Sequence, residues 1–236
     1  SAHARCPGQP DHRPATHRWG TVSTCHATEP GAEVGVYDTY VLPHLIDLAC
    51  RGADDERRRL VPSATGRVLE VGMGPALNLP HYDRDRVEMV WGLEPSEGMR
   101  RKAAGRIADS DLDVRWLDLP GEEVPLDDNS VDTVVLTFTL CTITDWERAL
   151  AQMRRVLRPG GRLLFAEHGA APDEQVRIWQ RRIEPAWRRV AGGCHLTRQI
   201  PQMIESGGFR LGEFTSAYTP GPRFSSFVSS GVATPR

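Results

Sequence analysis

Two glycines one residue apart, Gly72 and Gly74, close the branched run Val68-Leu69-Glu70-Val71, and a carboxylate, Glu94, follows twenty residues later. A glycine pair at the end of a strand lets a ligand approach main-chain amides without meeting side chains, and a carboxylate at the end of the next strand accepts both hydroxyls of a ribose. Phosphate is a poor partner for this turn. A phosphate-binding loop ends in Gly-Lys-Ser/Thr, which is absent, and a dinucleotide fingerprint places a glycine where Leu77 stands. The turn is expected to face a nucleoside without phosphate, with Glu94 on its ribose.

The other reactive side chains are scattered. Five cysteines (Cys6, Cys25, Cys50, Cys141, Cys194) are odd in number and form no CxxC pair, which reads as reduced thiols in a cytoplasmic protein. No metal is expected. The histidines and cysteines of the first 33 residues have no zinc spacing, and Cys194 and His195 are adjacent, a poor arrangement for one ion. His168 follows a strand at the edge where substrates bind, and it is the candidate proton acceptor.

These residues need elements to hold them. Strands read at 67–71, 88–93, 112–117, 132–138 and 161–167, and helices between them at 96–108, opening on Ser96, and at 145–157, opening on the capping box Thr144-Asp145-Trp146-Glu147. A leading helix at 36–50 carries Pro43 as a kink or restart. Helices at 173–190 and 197–207 are followed by strands at 209–218 and 224–233. The alternation predicts an α/β fold, Rossmann-like and doubly wound, whose mostly parallel seven-stranded sheet is closed by an antiparallel C-terminal hairpin. Residues 1–33 lack apolar periodicity and read as a disordered arm before one domain at 34–236.

Composition narrows the partners. At 236 residues, 39% hydrophobic and 25% charged, the chain is sized for one generous α/β domain. The net charge is −2 and the longest basic run is Arg57-Arg58-Arg59, so nucleic acid is not an expected partner. No apolar run nears the ~18–20 residues of a membrane span, and the N-terminus lacks the apolar core of a signal peptide. A small-molecule partner is expected. The oligomeric state is not legible.

S-adenosylmethionine fits the phosphate-free nucleoside. The segments "VLEVGMGPALN", "GLEPS", "NSVDTVVLTFTLCTI" and "MRRVLRPGGRLLFAEHG" resemble, in order and spacing, the motifs of class I S-adenosylmethionine-dependent methyltransferases, over residues 36 to 236. Ala76 stands where a third glycine is common. A narrower likeness lies in Glu167-His168, Pro185-Ala186-Trp187 and Gly193-Cys194-His195-Leu196-Thr197-Arg198, which resemble the bacterial relatives of the methyltransferase-like seven proteins, associated with alkyl thiol S-methylation and sometimes labelled phospholipid-methyltransferase-like.

The resemblance implies roles, residue by residue. Glu70, Gly72 and Gly74 line the methionine end, Asn78, one turn into the next helix, orients a polar group, and Glu94 takes the ribose. For Glu70 the alternative is ordering of the turn. After the third strand the chain departs from the family pattern, and the reading offered in its place is that Leu119 packs on the adenine while the Gly121 or Glu122 backbone bonds it, with Asp118 as the alternative in a shifted register and Glu122 and Glu123 as surface charges otherwise. Thr137, Phe138 and Thr139 turn carbonyls to the sulfonium. Tyr37 and Tyr40 cover the cofactor or pack as an aromatic pair. Leu140, Cys141, Trp187 and His195 are candidates for the acceptor wall, with core packing as their alternative. The expected reaction is methyl transfer to a small molecule, a thiol first, releasing S-adenosylhomocysteine. The alternatives are N- or O-methylation of a lipid amine or natural product, and a cofactor-binding protein without turnover.

Overall fold

The structure is a computed structural model, and it describes residues 37–51 and 54–236. The expected arm, 1–33, lies outside these residues. Seven strands form one sheet in the order β3-β2-β1-β4-β5-β7-β6. They are β1 (Gly66–Val71), β2 (Val87–Leu93), β3 (Val114–Leu117), β4 (Val131–Thr137), β5 (Leu157–His168), β6 (Phe209–Tyr218) and β7 (Phe227–Pro235). The first five pair in parallel, and β7 runs antiparallel to both β5 and β6. This is the Rossmann-like, mostly parallel sheet with an antiparallel C-terminal hairpin that the strand-helix alternation predicts.

Both faces of the central strands are buried, and side-chain alternation sorts them. Leu69, Val71, Val134, Leu136, Leu163 and Phe165 belong to one apolar cluster, with Leu150 and Met153 of α4 (Trp146–Val156). Val68, Val135, Leu164 and Ala166 belong to the other, with Val61 and Leu79. Glu70 and Thr137 alternate with the first set, so both point to the second face, where the strands end. Because β1 is flanked by β2 on one side and β4 on the other, the chain reverses its winding there and leaves a crevice beyond the two strand ends.

The remaining helices are α1 (Leu42–Arg51), α2 (Asp54–Leu60), α3 (Glu97–Ala108), α5 (Glu174–Val190) and α6 (Ile200–Ser206). A π-helical turn, Tyr37–Val41, runs directly into α1, and Pro43 is the second residue of α1, at the junction of the two. Ser96 caps α3, its hydroxyl accepting from the Met99 amide at 3.3 Å.

Three local expectations need correction. No α-helix follows the glycine turn: residues 75–78 form turns and Leu79–His81 a single 3-10 turn, so Asn78 does not lie inside a helix. Pro75 and Pro80 remove two donors from this stretch, and Ala76 takes a left-handed φ of 62° that no helix tolerates. The cap of α4 is Asp145, whose carboxylate accepts from the Arg148 amide at 3.0 Å, one residue later than a box on Thr144. Finally, β5 begins at Leu157, before the Pro159-Gly160-Gly161 segment, and its pairing with β4 shifts register between Val131 and Thr133. Among the described residues no helix is long and apolar enough to cross a membrane.

Candidate active site

The glycine turn is fixed by main chain and by one neighbour. Gly72 and Met73 donate to the Leu93 carbonyl at 2.8 and 3.2 Å, which ties the end of β1 to the end of β2. Gly72 has φ 67°, and a Cβ there would lie 2.2 Å from the Thr139 methyl, so both conformation and space require glycine. At Gly74 (φ 54°) a Cβ would meet only the Gly72 carbonyl at 3.8 Å, so this residue faces open space.

Around the turn lies a narrow cleft of about 50 Å³. Seven residues singled out by sequence line it: Glu70, Gly72, Gly74, Asn78, Thr137, Phe138 and Thr139. They come from the end of β1, the turn after it, and the end of β4. Asn78 Nδ2 donates to Glu70 Oε1 and to Thr137 Oγ1, each at 3.0 Å, while its Oδ1 is buried with no partner among the described residues. Tyr82 donates its hydroxyl to Glu70 Oε2 at 2.6 Å. Burial pushes the Glu70 carboxyl up to about 7, against the lowering effect of Tyr82, Asn78 and Arg57.

Arg57 was not visible as a site residue in the sequence. It is the first arginine of the basic triplet on α2, which reads as a solvated face, yet it is only 4% exposed and lines the cleft. Its guanidinium carbon lies 5.2 Å from the centroid of the Phe138 ring. Phe138 itself holds a left-handed φ of 53°, a strained conformation for an aromatic residue. The only sequence signal was the helical phase that turns Arg57 and Leu60 to the same side as the core.

Glu94 sits beside the turn. Its Oε2 accepts from the Gly74 amide and its Oε1 from the Ser96 amide, both at 2.9 Å. Burial raises its carboxyl above the usual range, opposed by those amides. Leu119 packs against the apolar cluster on the far face, and a Cβ on Gly121 would lie 3.0 Å from Ile143 and 3.3 Å from Val71. Glu122 accepts from the Asp145 amide at 3.1 Å, and Asp118 pairs with Arg100.

The two tyrosines of the leading segment do not line the cleft. Tyr37 donates its hydroxyl to the Val190 carbonyl at 2.7 Å, and Tyr40 is 62% exposed with Arg101 against its ring, so neither lines the cleft and the two do not stack on each other. The local pattern put both on one helix but could not say which way that helix leans.

A second group of residues gathers beyond the cleft wall. Glu167 Oε1 accepts from the Thr139 and Leu140 amides at 2.6 and 2.9 Å, its Oε2 has no hydrogen-bond partner among the described residues, and burial pushes its carboxyl up to about 7. His168 Nε2 lies 3.0 Å from Cys194 Sγ, and Trp187 Nε1 donates to the same sulfur at 3.2 Å. The bonds that Cys194 makes with Cys141 and His168 hold its thiol well below the usual range. Cys141 is buried, and Leu140 is fully buried in the core, outside the cleft lining. His195 lies beside Glu184, with Nδ1 3.4 Å from its carboxylate. A larger cavity of about 250 Å³ opens past β5 along Gly169, Ala170, Arg177 and Arg198, but none of the residues expected to hold the cofactor borders it.

Comparisons with known proteins identify the family and the fold. A family model described as a methyltransferase domain matches residues 69–165. The chain is 32% identical over 185 residues to a human protein named thiol S-methyltransferase TMT1B, covering 73% of this chain and 75% of that one. A rat protein of the same name is 44% identical over 146 residues, covering 60% of this chain and 59% of its own length. Among solved structures, a SAM-dependent methyltransferase from Thermotoga maritima is similar in fold, with a TM-score of 0.59 at 22% identity over 85% of this chain and 98% of that one.

Proposed function

The chain belongs to the class I S-adenosylmethionine-dependent methyltransferases, and from that premise we propose that its methyl acceptor is a small-molecule thiol. One observation carries the choice of acceptor: His168, the base expected from sequence, has its Nε2 engaged by Cys194 at 3.0 Å. An alcohol needs an explicit proton acceptor, whereas a thiol, with an ordinary pKa of about 8.5, already presents some anion near neutral pH. The human and rat relatives, both named as thiol S-methyltransferases, point the same way.

The cleft residues fit the methyl donor. The unpartnered Asn78 Oδ1 is an acceptor suited to an ammonium group, Arg57 is a cation suited to a carboxylate, and Gly74 leaves open space beside main chain. At about 50 Å³ the cleft is sized for the amino-acid tail, leaving Glu94, Leu119 and Gly121 for the nucleoside. When bound, S-adenosylmethionine supplies an electrophilic methyl group on a sulfonium. The work of the protein is positional: Thr137, Phe138 and Thr139 hold main-chain carbonyls at the end of β4, and the buried walls exclude water. Alignment of this kind contributes on the order of 7–11 kcal/mol in well-oriented reactions.

A lipid acceptor is the second reading. It is favoured by the exposure of Tyr40, Val41 and Leu45 on the segment that also brings Ile46 to the cleft. Cytoplasmic action on a free thiol and action at a bilayer surface separate in a liposome flotation assay. The deciding experiment is an acceptor screen with methyl-labelled S-adenosylmethionine against alkyl and aryl thiols, phenols, amines and phospholipids. Labelled thioether from the thiols is the expected product. Label entering only amines or hydroxyls would reject the thiol, and binding without release of S-adenosylhomocysteine to any acceptor would reject turnover.

A further inference from the structure

Cys141, His168 and Cys194 come from three separate elements, yet their ligating atoms all lie within 4.8 Å of one another. Cys141 is in the loop after β4, His168 ends β5, and Cys194 is in the loop after α5. We propose that these three residues are a binding site for a zinc-class divalent cation. The site does not depend on which acceptor the enzyme methylates.

The donor set is the one such ions select. Two thiolate sulfurs and one imidazole nitrogen suit zinc, whose bonds of about 2.3 Å to sulfur and about 2.0 Å to nitrogen put tetrahedral ligands roughly 3.5–3.8 Å apart. The separation of 3.0 Å between Cys194 Sγ and His168 Nε2 then opens by about half an ångström. Three protein ligands leave one tetrahedral position for a further ligand.

The surroundings hold the donors in place. The His195 amide donates to the Cys141 carbonyl at 2.9 Å, which joins the two cysteine loops. Glu184 on α5 fixes the second loop, its Oε2 accepting from the Leu196 and Thr197 amides at 2.8 and 2.9 Å and from the Thr197 hydroxyl at 2.8 Å. Trp187 Nε1 donates to Cys194 Sγ, the kind of outer contact that orients a thiolate ligand. Cys141 and Cys194 are both buried, and His168 Nδ1 is shielded with no partner among the described residues. A cluster with this many polar atoms, closed to solvent and only two residues along the chain from Thr139 on the cleft wall, has a physical use for a cation.

The test uses the full chain, reduced, stripped with a chelator and gel-filtered, then titrated with Zn²⁺ and with Co²⁺. Replacing Cys6, Cys25 and Cys50 with serine leaves Cys141 and Cys194 as the only thiols. In that background one metal per chain is expected to survive gel filtration, and cobalt is expected to give tetrahedral visible bands with thiolate charge transfer. Cys141→Ser and Cys194→Ser should each weaken metal affinity by at least about 100-fold, and His168→Ala should weaken it while keeping the thiolate bands. Circular dichroism and S-adenosylmethionine binding report whether each variant folds. For any variant that does not, zinc protection of Cys141 and Cys194 from alkylation in the unmutated chain, read by peptide mass mapping, decides the matter. The proposal is overturned if the unmutated chain retains no metal, if zinc leaves alkylation of both cysteines unchanged, or if folded serine variants bind zinc as tightly as their parent.

Discussion

Glu94 uses both carboxylate oxygens on main-chain amides, one of them at Gly74, so it shapes the glycine turn that the proposed cofactor site is built on. Glu94→Ala is expected to weaken S-adenosylmethionine binding by at least about 1 kcal/mol through lost charge-assisted hydrogen bonds. Unchanged affinity by calorimetry would remove it from the site. Ala76 raises a different question, because it holds φ 62° with its methyl fully buried. Glycine there would relieve about 1–2 kcal/mol of left-handed strain and lose about 0.8 kcal/mol of burial, so Ala76→Gly should change stability by no more than about 1 kcal/mol. A β-branched residue has neither the conformation nor the space. Ala76→Val should cost about 2 kcal/mol or more in denaturant unfolding, and a smaller cost would mean the turn can relax.

At the scale of elements, helix caps decide where the loops that line the site begin. Asp145 ends the segment that carries Phe138, Thr139 and Cys141 and starts α4, whose Leu150 and Met153 pack under the sheet. Asp145→Ala should cost about 1 kcal/mol of stability, whereas Thr144→Ala, one residue earlier and exposed, should stay within about 0.5 kcal/mol. Equal costs in thermal unfolding would return the cap to Thr144. The short connection between β1 and β2 matters for the same reason. By replacing a helix with turns it lets Asn78 reach both Glu70 and Thr137, and so joins the ends of two neighbouring strands.

At the scale of the molecule, a buried acid makes stability depend on pH. Glu70 has its carboxyl raised from 4.5 to about 7 by burial, so the folded chain binds that proton more tightly than the unfolded chain. Its stabilising contribution is complete below pH 4.5 and is lost as pH rises toward 7. The loss is about 3 kcal/mol. Glu167, also raised to about 7 by burial, contributes over the same window, so Glu70→Gln should reduce the slope in denaturant titrations without abolishing it, and an unchanged slope would show that Glu70 does not contribute. The strands and helices, the C-terminal hairpin and the glycine turn were legible in the sequence because each rests on local rules: side-chain period, turn chemistry and capping over a few residues; the order of the strands across the sheet was not read from it. Arg57, the positions of Tyr37 and Tyr40, and the meeting of Cys141, His168 and Cys194 were not. Their partners are distant along the chain, and only packing of α1, α2 and α5 against the sheet fixes which of them meet. The sequence by itself determined the fold and the nature of the cofactor. Tertiary structure alone decided which side chains share a cavity, because proximity across elements depends on how their buried faces lock together and not on residue spacing.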